Sequence, residues 1–181
     1  MLEGKNIILR LLTEDDLEEL LTRANDYSQK GEFISTKFLV PAVFRKEFNE
    51  HGWWQDNKGM MLITDKNGRM LGSIVFFEAF MHEAGYEIGY GILRQDDRGQ
   101  GYITEALRIF SAYLFELKPI ARLHAKMVKG NVASQRVLEK CGYRLEGTFK
   151  RFGFVRGEYR DHEVYALLRE DCPSLDETLQ V

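Results

Sequence analysis

The chain has 181 residues, 44% of them hydrophobic and 29% charged, with a formal net charge of -3. That size and balance suit one soluble globular domain, able to bury about 70% of its unfolded surface, and exclude disordered and fibrous classes. Lysine and arginine are interleaved with aspartate and glutamate, so there is no basic stripe of the kind that binds nucleic acid.

In chain order, Asn6 to Leu12 reads as a strand, and Thr13 before Glu14-Asp15-Asp16 reads as the cap of a helix striped by Leu17, Leu20 and Leu21. Residues 26–57 carry little pattern beyond a helical stretch from Ala42 to Asn49. Trp53 and Trp54 within it read as packing aromatics. Met60–Thr64 and Met70–Phe77 flank Asn67-Gly68, a hairpin signal. Tyr86–Leu93 is a further strand. A helix begins near Tyr102, striped by Ile103, Ala106, Leu107, Phe110 and Leu114, and Lys118-Pro119 ends it. Leu123, Ala125 and Met127 mark a strand. A helix from Asn131 to Cys141 turns Ala133, Val137, Leu138 and Cys141 to one side and stops at Gly142. Tyr143–Phe152 and Tyr159–Leu168 are two long strands about Arg156-Gly157-Glu158. Residues 172–181 are expected to form a polar, frayed tail after a single domain over 1–171. The order implies a mixed α/β fold with a largely antiparallel sheet of about seven strands and one central crossover.

Cys141 falls on an apolar helix side and Cys172 in the tail, which is no disulfide framework. No Cys/His cluster has metal-ligand spacing, no run is long enough to span a membrane, and the N-terminus lacks a signal peptide. The expectation is a cytoplasmic protein with no metal and no membrane or nucleic-acid partner.

Chemistry concentrates where the Tyr86–Leu93 strand gives way to Asp97-Arg98-Gly99-Gln100-Gly101 and a helix. Glycines let backbone approach a ligand, and the N–H groups at a helix start attract phosphate oxygens. Arg98 offers a further charge-assisted contact. Alone, Gly-x-Gly is as well read as an ordinary tight turn. It is neither a Walker loop nor the full Gly-x-Gly-x-x-Gly fingerprint, since residue 104 is Thr. Farther on, Asn131-x-x-Ser134 opens a helix ending in Glu139-Lys140-Cys141-Gly142-Tyr143. Order and spacing together are more specific than either part.

These two segments resemble the acetyl-CoA-binding core of the GNAT superfamily of N-acetyltransferases. The resemblance runs from residue 5 to about 169 and is weakest over 26–57. Ile7–Asp16, Tyr86-Glu87-Ile88-Gly89-Tyr90 and Leu145-Glu146-Gly147 are similar to the branch containing ribosomal-protein N-terminal acetyltransferases. The resemblance implies a sheet flanked by helices and splayed at the acetyl-CoA site, with acetyl-CoA as co-substrate. The cofactor contacts fall on Ile92, Leu93, Arg98, Gly99, Gln100, Gly101, Tyr102, Ile103, Asn131 and Ser134. It implies direct attack by an amine in a ternary complex, the acceptor being a protein N-terminus. The alternatives are a small-molecule amine such as a polyamine, aminosugar or antibiotic, or a non-catalytic acyl-CoA-binding module. A homodimer is the assembly common among similar proteins.

Two departures stand out. Asp96 occupies a position usually held by Gln or Arg, and Leu138 replaces the helix tyrosine that commonly protonates the leaving thiolate. The catalytic candidates are therefore Glu87 as base and Ser134 as acid, with a backbone N–H near Ile92 or Leu93 for the oxyanion. Beside these stand plainer readings: Glu87 as a structural carboxylate, Ser134 as a helix-start residue, and Gly89 and Gly91 as close packing rather than marks of an irregular strand. His124 and His162 lie on strands within possible reach of the acceptor.

Overall fold

A computed structural model of the protein describes residues 1–78 and 85–179. The strands are β1 (Leu2–Glu3), β2 (Ile7–Arg10), β3 (Lys58–Asp65), β4 (Met70–Glu78), β5 (Gly85–Ile92), β6 (Arg122–Val128), β7 (Arg144–Val155) and β8 (Glu158–Leu168). The helices are α1 (Asp16–Asn25), α2 (Pro41–His51), α3 (Tyr102–Leu117), α4 (Val132–Lys140) and α5 (Leu175–Leu179). One sheet holds all eight strands in the order β1-β2-β3-β4-β5-β6-β8-β7. Every neighbouring pair is antiparallel except β5 and β6, which α3 joins by the crossover. The eighth strand beyond the expected seven is β1, two residues paired with Leu9 and Ile8 and too short to show an alternating pattern.

The larger core lies between one sheet face and α3, α4 and α5. Ile63, Ile74, Phe76 and Ile88 from the sheet meet Ala106, Leu107, Phe110 and Leu114 of α3 there. On the other face Leu17, Leu20 and Leu21 of α1 and Phe44 of α2 pack with Leu62 and Met70. Both tryptophans pack: Trp53 stacks on Phe44 at 4.6 Å and donates Nε1–H to its carbonyl, and Trp54 meets Phe76 edge-on at 5.2 Å.

Three local expectations are corrected. Thr13 does not cap α1. Its N–H and hydroxyl instead donate to the Asp16 carboxylate at 2.8 and 2.7 Å, because Asp16, held by both Arg10 nitrogens at 2.7 Å, is the stronger acceptor. Ala133 is exposed, and in α4 only Leu138 is fully buried. The C-terminal segment is ordered through residue 179 rather than frayed. Ser174 and Glu177 exchange capping bonds, and Cys172, Leu175 and Leu179 pack on the main core. The end of the expected tail, residues 180 and 181, lies outside the described residues.

Candidate active site

Among the described residues β5 and β6 share three registers, Gly85↔Arg122, Tyr86↔Leu123 and Glu87↔His124. Beyond them β5 runs on to Ile92 and β6 to Val128 without pairing, so the sheet opens into a cleft between two strands. The β4–β5 ladder stays regular through Gly72↔Ile92, and the Leu93 N–H continues it by donating to the Leu71 carbonyl at 3.0 Å. Ladder bonding alternates along a strand, so the backbone groups of Ile88, Tyr90 and Ile92 face the cleft. Of the two oxyanion candidates, Ile92 turns its backbone N–H to the cleft, whereas the Leu93 N–H is engaged with β4 on the far side. The regular ladder also removes the irregular-strand reading of the glycines. A Cβ on Gly89 would meet Val75 at 3.1 Å, a packing reason, while one on Gly91 would meet nothing within 4 Å.

At the mouth of the cleft a 3-10 turn over Gln95–Asp97 leads into Arg98, Gly99, Gln100 and Gly101. Gly99 and Gly101 have φ of +76° and +85°, and nothing lies within 4 Å of where a Cβ would stand on either. Their requirement is conformational, since such φ values cost other residues about 1–2 kcal/mol. Gly101 is the N-cap of α3 and no side chain caps the helix. The N–H groups of its first turn therefore point, with the helix dipole behind them, into open space suited to phosphate oxygens. Gln100 is exposed, whereas the Tyr102 and Ile103 side chains lean on the core, which leaves their backbone for any ligand contact.

Arg98 behaves differently from expectation. Its Nη2 donates to the Gln29 carbonyl at 2.5 Å and its Nη1 lies beside Gly31, so the guanidinium organises residues 29–31. Asp96 is exposed to solvent and Asp97 is paired with Arg69 at 2.9 Å, so neither sets an uncompensated buried charge beside the glycines. Residues 27–32 also bind the β7–β8 turn. Arg156 stacks on Tyr27 at 5.3 Å and donates to the carbonyls of Lys30 and Gly31, and Arg160 meets Glu32 at 3.1 Å. This segment, unreadable in the sequence, thus straps the loop after β5 to the hairpin beyond β6.

Asn131 caps α4, its Oδ1 accepting the Ser134 N–H at 3.2 Å. Ser134 Oγ lies 2.9 Å from the hydroxyl of Tyr90 on β5. Tyr90 escaped the sequence reading, although the period-two alternation that sets it with Tyr86 and Ile88, on the face toward α3 and α4, was visible. Burial pushes its ionisation up to about 12, partly opposed by the Ser134 bond. Leu138 is fully buried in the core. Cys141 is no nucleophile: burial pushes its thiol up to about 12, and Sγ donates to the Thr104 carbonyl at 3.4 Å. Tyr143 is buried with its hydroxyl on Ser111 at 2.8 Å.

Glu87 lies on the opposite face of β5 and is 8% exposed. Lys126 Nζ stands 2.8 Å from its Oε2, a close and largely buried ion pair. Burial raises the carboxyl's pKa, opposed by Lys126 and more weakly by His162. Phe152 joins this face, 5.1 Å from the Lys126 ammonium and 5.5 Å from the His162 ring. His124, opposite Glu87 in the β5–β6 register, accepts from Arg122 Nε at 3.1 Å. The fold therefore divides the candidates, with the hydroxyl pair and glycine loop on the α3/α4 side and the carboxylate on the other.

The acetyltransferase (GNAT) domain matches residues 6–144. The chain belongs to the GNAT acetyltransferase family. The Bacillus subtilis protein named probable N-acetyltransferase YjcK is 28% identical over 94% of this chain and 98% of its own. The Escherichia coli ribosomal-protein-serine acetyltransferase is 29% identical over 59% of each chain. A solved structure of a GNAT-family acetyltransferase from Bacillus anthracis superposes with a TM-score of 0.77 at 25% identity, covering 93% of this chain and 98% of that one. This GNAT protein is an N-acetyltransferase with acetyl-CoA as donor. The opened sheet and uncapped glycine-led helix suit that donor: a cleft that accepts an extended arm, and backbone donors for its phosphates. No helix among the described residues is long and apolar enough to cross a membrane.

Proposed function

We propose that the protein acetylates the N-terminal amine of a protein or peptide, by direct attack on the thioester in a ternary complex. The observation that carries the reading is the β5–β6 cleft ending at the uncapped start of α3. Backbone N–H groups from Gly99 to Ile103 hold the pyrophosphate, with Arg98 keeping the loop in shape through Gln29. Asn131 fixes the first turn of α4, and Ser134 Oγ gives a hydrogen to the leaving sulfur. The Ile92 N–H stabilises the developing oxyanion. Glu87, in its ionised form, takes the amine proton on the opposite face.

Two considerations favour a peptide acceptor over a polyamine. The E. coli relative is named for a ribosomal-protein serine. Among the described residues, Glu87 is ringed by Lys126, His124, His162 and Phe152, a setting poor in free negative charge for a polycation.

The test is calorimetric titration of acetyl-CoA, with CoA and ATP as comparators. A thiol-release assay follows, on peptides beginning with Ala or Ser, on spermidine and on an aminosugar. Peptide turnover well above the others is expected. Preference for spermidine overturns the acceptor assignment, and tight binding with no turnover of any amine makes the protein a non-catalytic acyl-CoA-binding module.

A further inference from the structure

One polar group near the cleft has no part in these steps. Tyr90 sits on β5 three residues past the last register shared with β6, and its hydroxyl crosses to Ser134 on α4, 44 residues away in the chain. We infer that Tyr90 is a positioning residue for thiol release: its phenol donates to Ser134 Oγ and so turns the serine's own hydrogen toward the departing sulfur. The inference rests on the acetyl-CoA reading given above.

The direction of the bond follows from acidity, since a phenol is a far stronger acid than an aliphatic alcohol and is the natural donor of the pair. Burial keeps that donor in hand, because a phenol ionising at about 12 stays protonated across the neutral range. Ser134 has its backbone N–H fixed by Asn131, so the turn that carries Oγ is held from both sides. Two neighbouring positions do not substitute for it. Position 138 is a buried leucine, and the Tyr143 hydroxyl is committed to Ser111 inside the core.

The proton account closes. As the carbon–sulfur bond breaks, its electron pair leaves with sulfur. Ser134 gives sulfur its proton, and Tyr90 replenishes Ser134. Glu87 releases to solvent the proton it took from the attacking amine, and solvent restores Tyr90, so one proton leaves nitrogen and one arrives on sulfur.

The test needs no acceptor. Free CoA is bound to the protein and its thiol is titrated by the ultraviolet absorbance of the thiolate. A hydroxyl directed at sulfur stabilises the thiolate, so Tyr90→Phe should raise the pKa of bound CoA thiol by about one to two units, the size of a hydrogen bond to a charged group. Ser134→Ala should do the same, and the double variant should add nothing further. Desulfo-CoA, which lacks the sulfur, reports on whether each variant keeps an intact cleft. Should Tyr90→Phe not fold, Ser134→Ala alone must still produce the shift. An unshifted thiol in a CoA-binding Tyr90→Phe protein overturns the inference, as does a shift in Tyr90→Phe without one in Ser134→Ala. Wild-type protein that binds neither CoA nor acetyl-CoA instead fails the donor reading itself.

Discussion

Gly101 and Gly68 form a matched pair that separates backbone strain from ligand binding. Gly68, in the β3–β4 turn, has φ of +86° and Gly101 has +85°, and neither has an atom within 4 Å of the position a Cβ would take. An alanine at either position meets no clash and costs the left-handed penalty alone, about 1–2 kcal/mol. In a chain of this length each variant should melt roughly 2–8 °C lower. Only Gly101→Ala alters the N-cap of α3, where shifted N–H groups forfeit contacts to phosphate. Losing one hydrogen bond to a charged group corresponds to about a 10- to 100-fold weaker acetyl-CoA complex. Thermal unfolding and calorimetry on the two variants measure both effects. The reasoning fails if Gly101→Ala binds acetyl-CoA like the wild type, or if Gly68→Ala weakens binding equally.

Three further outcomes are expected. Arg10 and Thr13 hold the Asp16 carboxyl down at about 2, so its contribution to stability is present above the unfolded value near 4 and is lost as pH falls through about 2. Asp16→Asn should therefore cost about 2 kcal/mol at pH 7 in denaturant unfolding, with the gap from wild type closing below pH 4. Leu138→Tyr, which restores a helix tyrosine, should lower stability by about 1–3 kcal/mol without raising turnover, because position 138 is fully buried. A faster enzyme would show that the cleft, not the core, receives that side chain. Burial raises the Glu87 carboxyl and a base must be ionised, so the rate should fall as pH drops through that raised value. Glu87→Gln should cut kcat about a hundredfold or more and flatten the acid limb. An unchanged pH–rate profile would leave Glu87 as the structural partner of Lys126.

What the amino-acid sequence determined by itself is what neighbouring residues dictate to one another. Asn67-Gly68 demanded a tight turn, Gly99-x-Gly101 a left-handed entry to α3, Asn131 a cap, and Lys118-Pro119 a helix end. Each is a conformational requirement of a few adjacent residues, and each is met in place. The period-two and helical patterns likewise placed β5, β6, α3 and α4 because burial on one face imposes them. Tertiary structure alone decided how those pieces meet. Arg98 turned to Gln29, 69 residues earlier, because a half-buried guanidinium binds the carbonyl nearest to it in space. The Leu93 N–H turned away from the cleft because the β4 register claimed it. Lys126 found Glu87 across two strands that are parallel for three described residues and then part, and Tyr90 found Ser134 on the helix that follows the second of them. Distance along the chain carries no record of such approaches. Packing sets them, and in this protein they hold the side chains on which catalysis is proposed to turn.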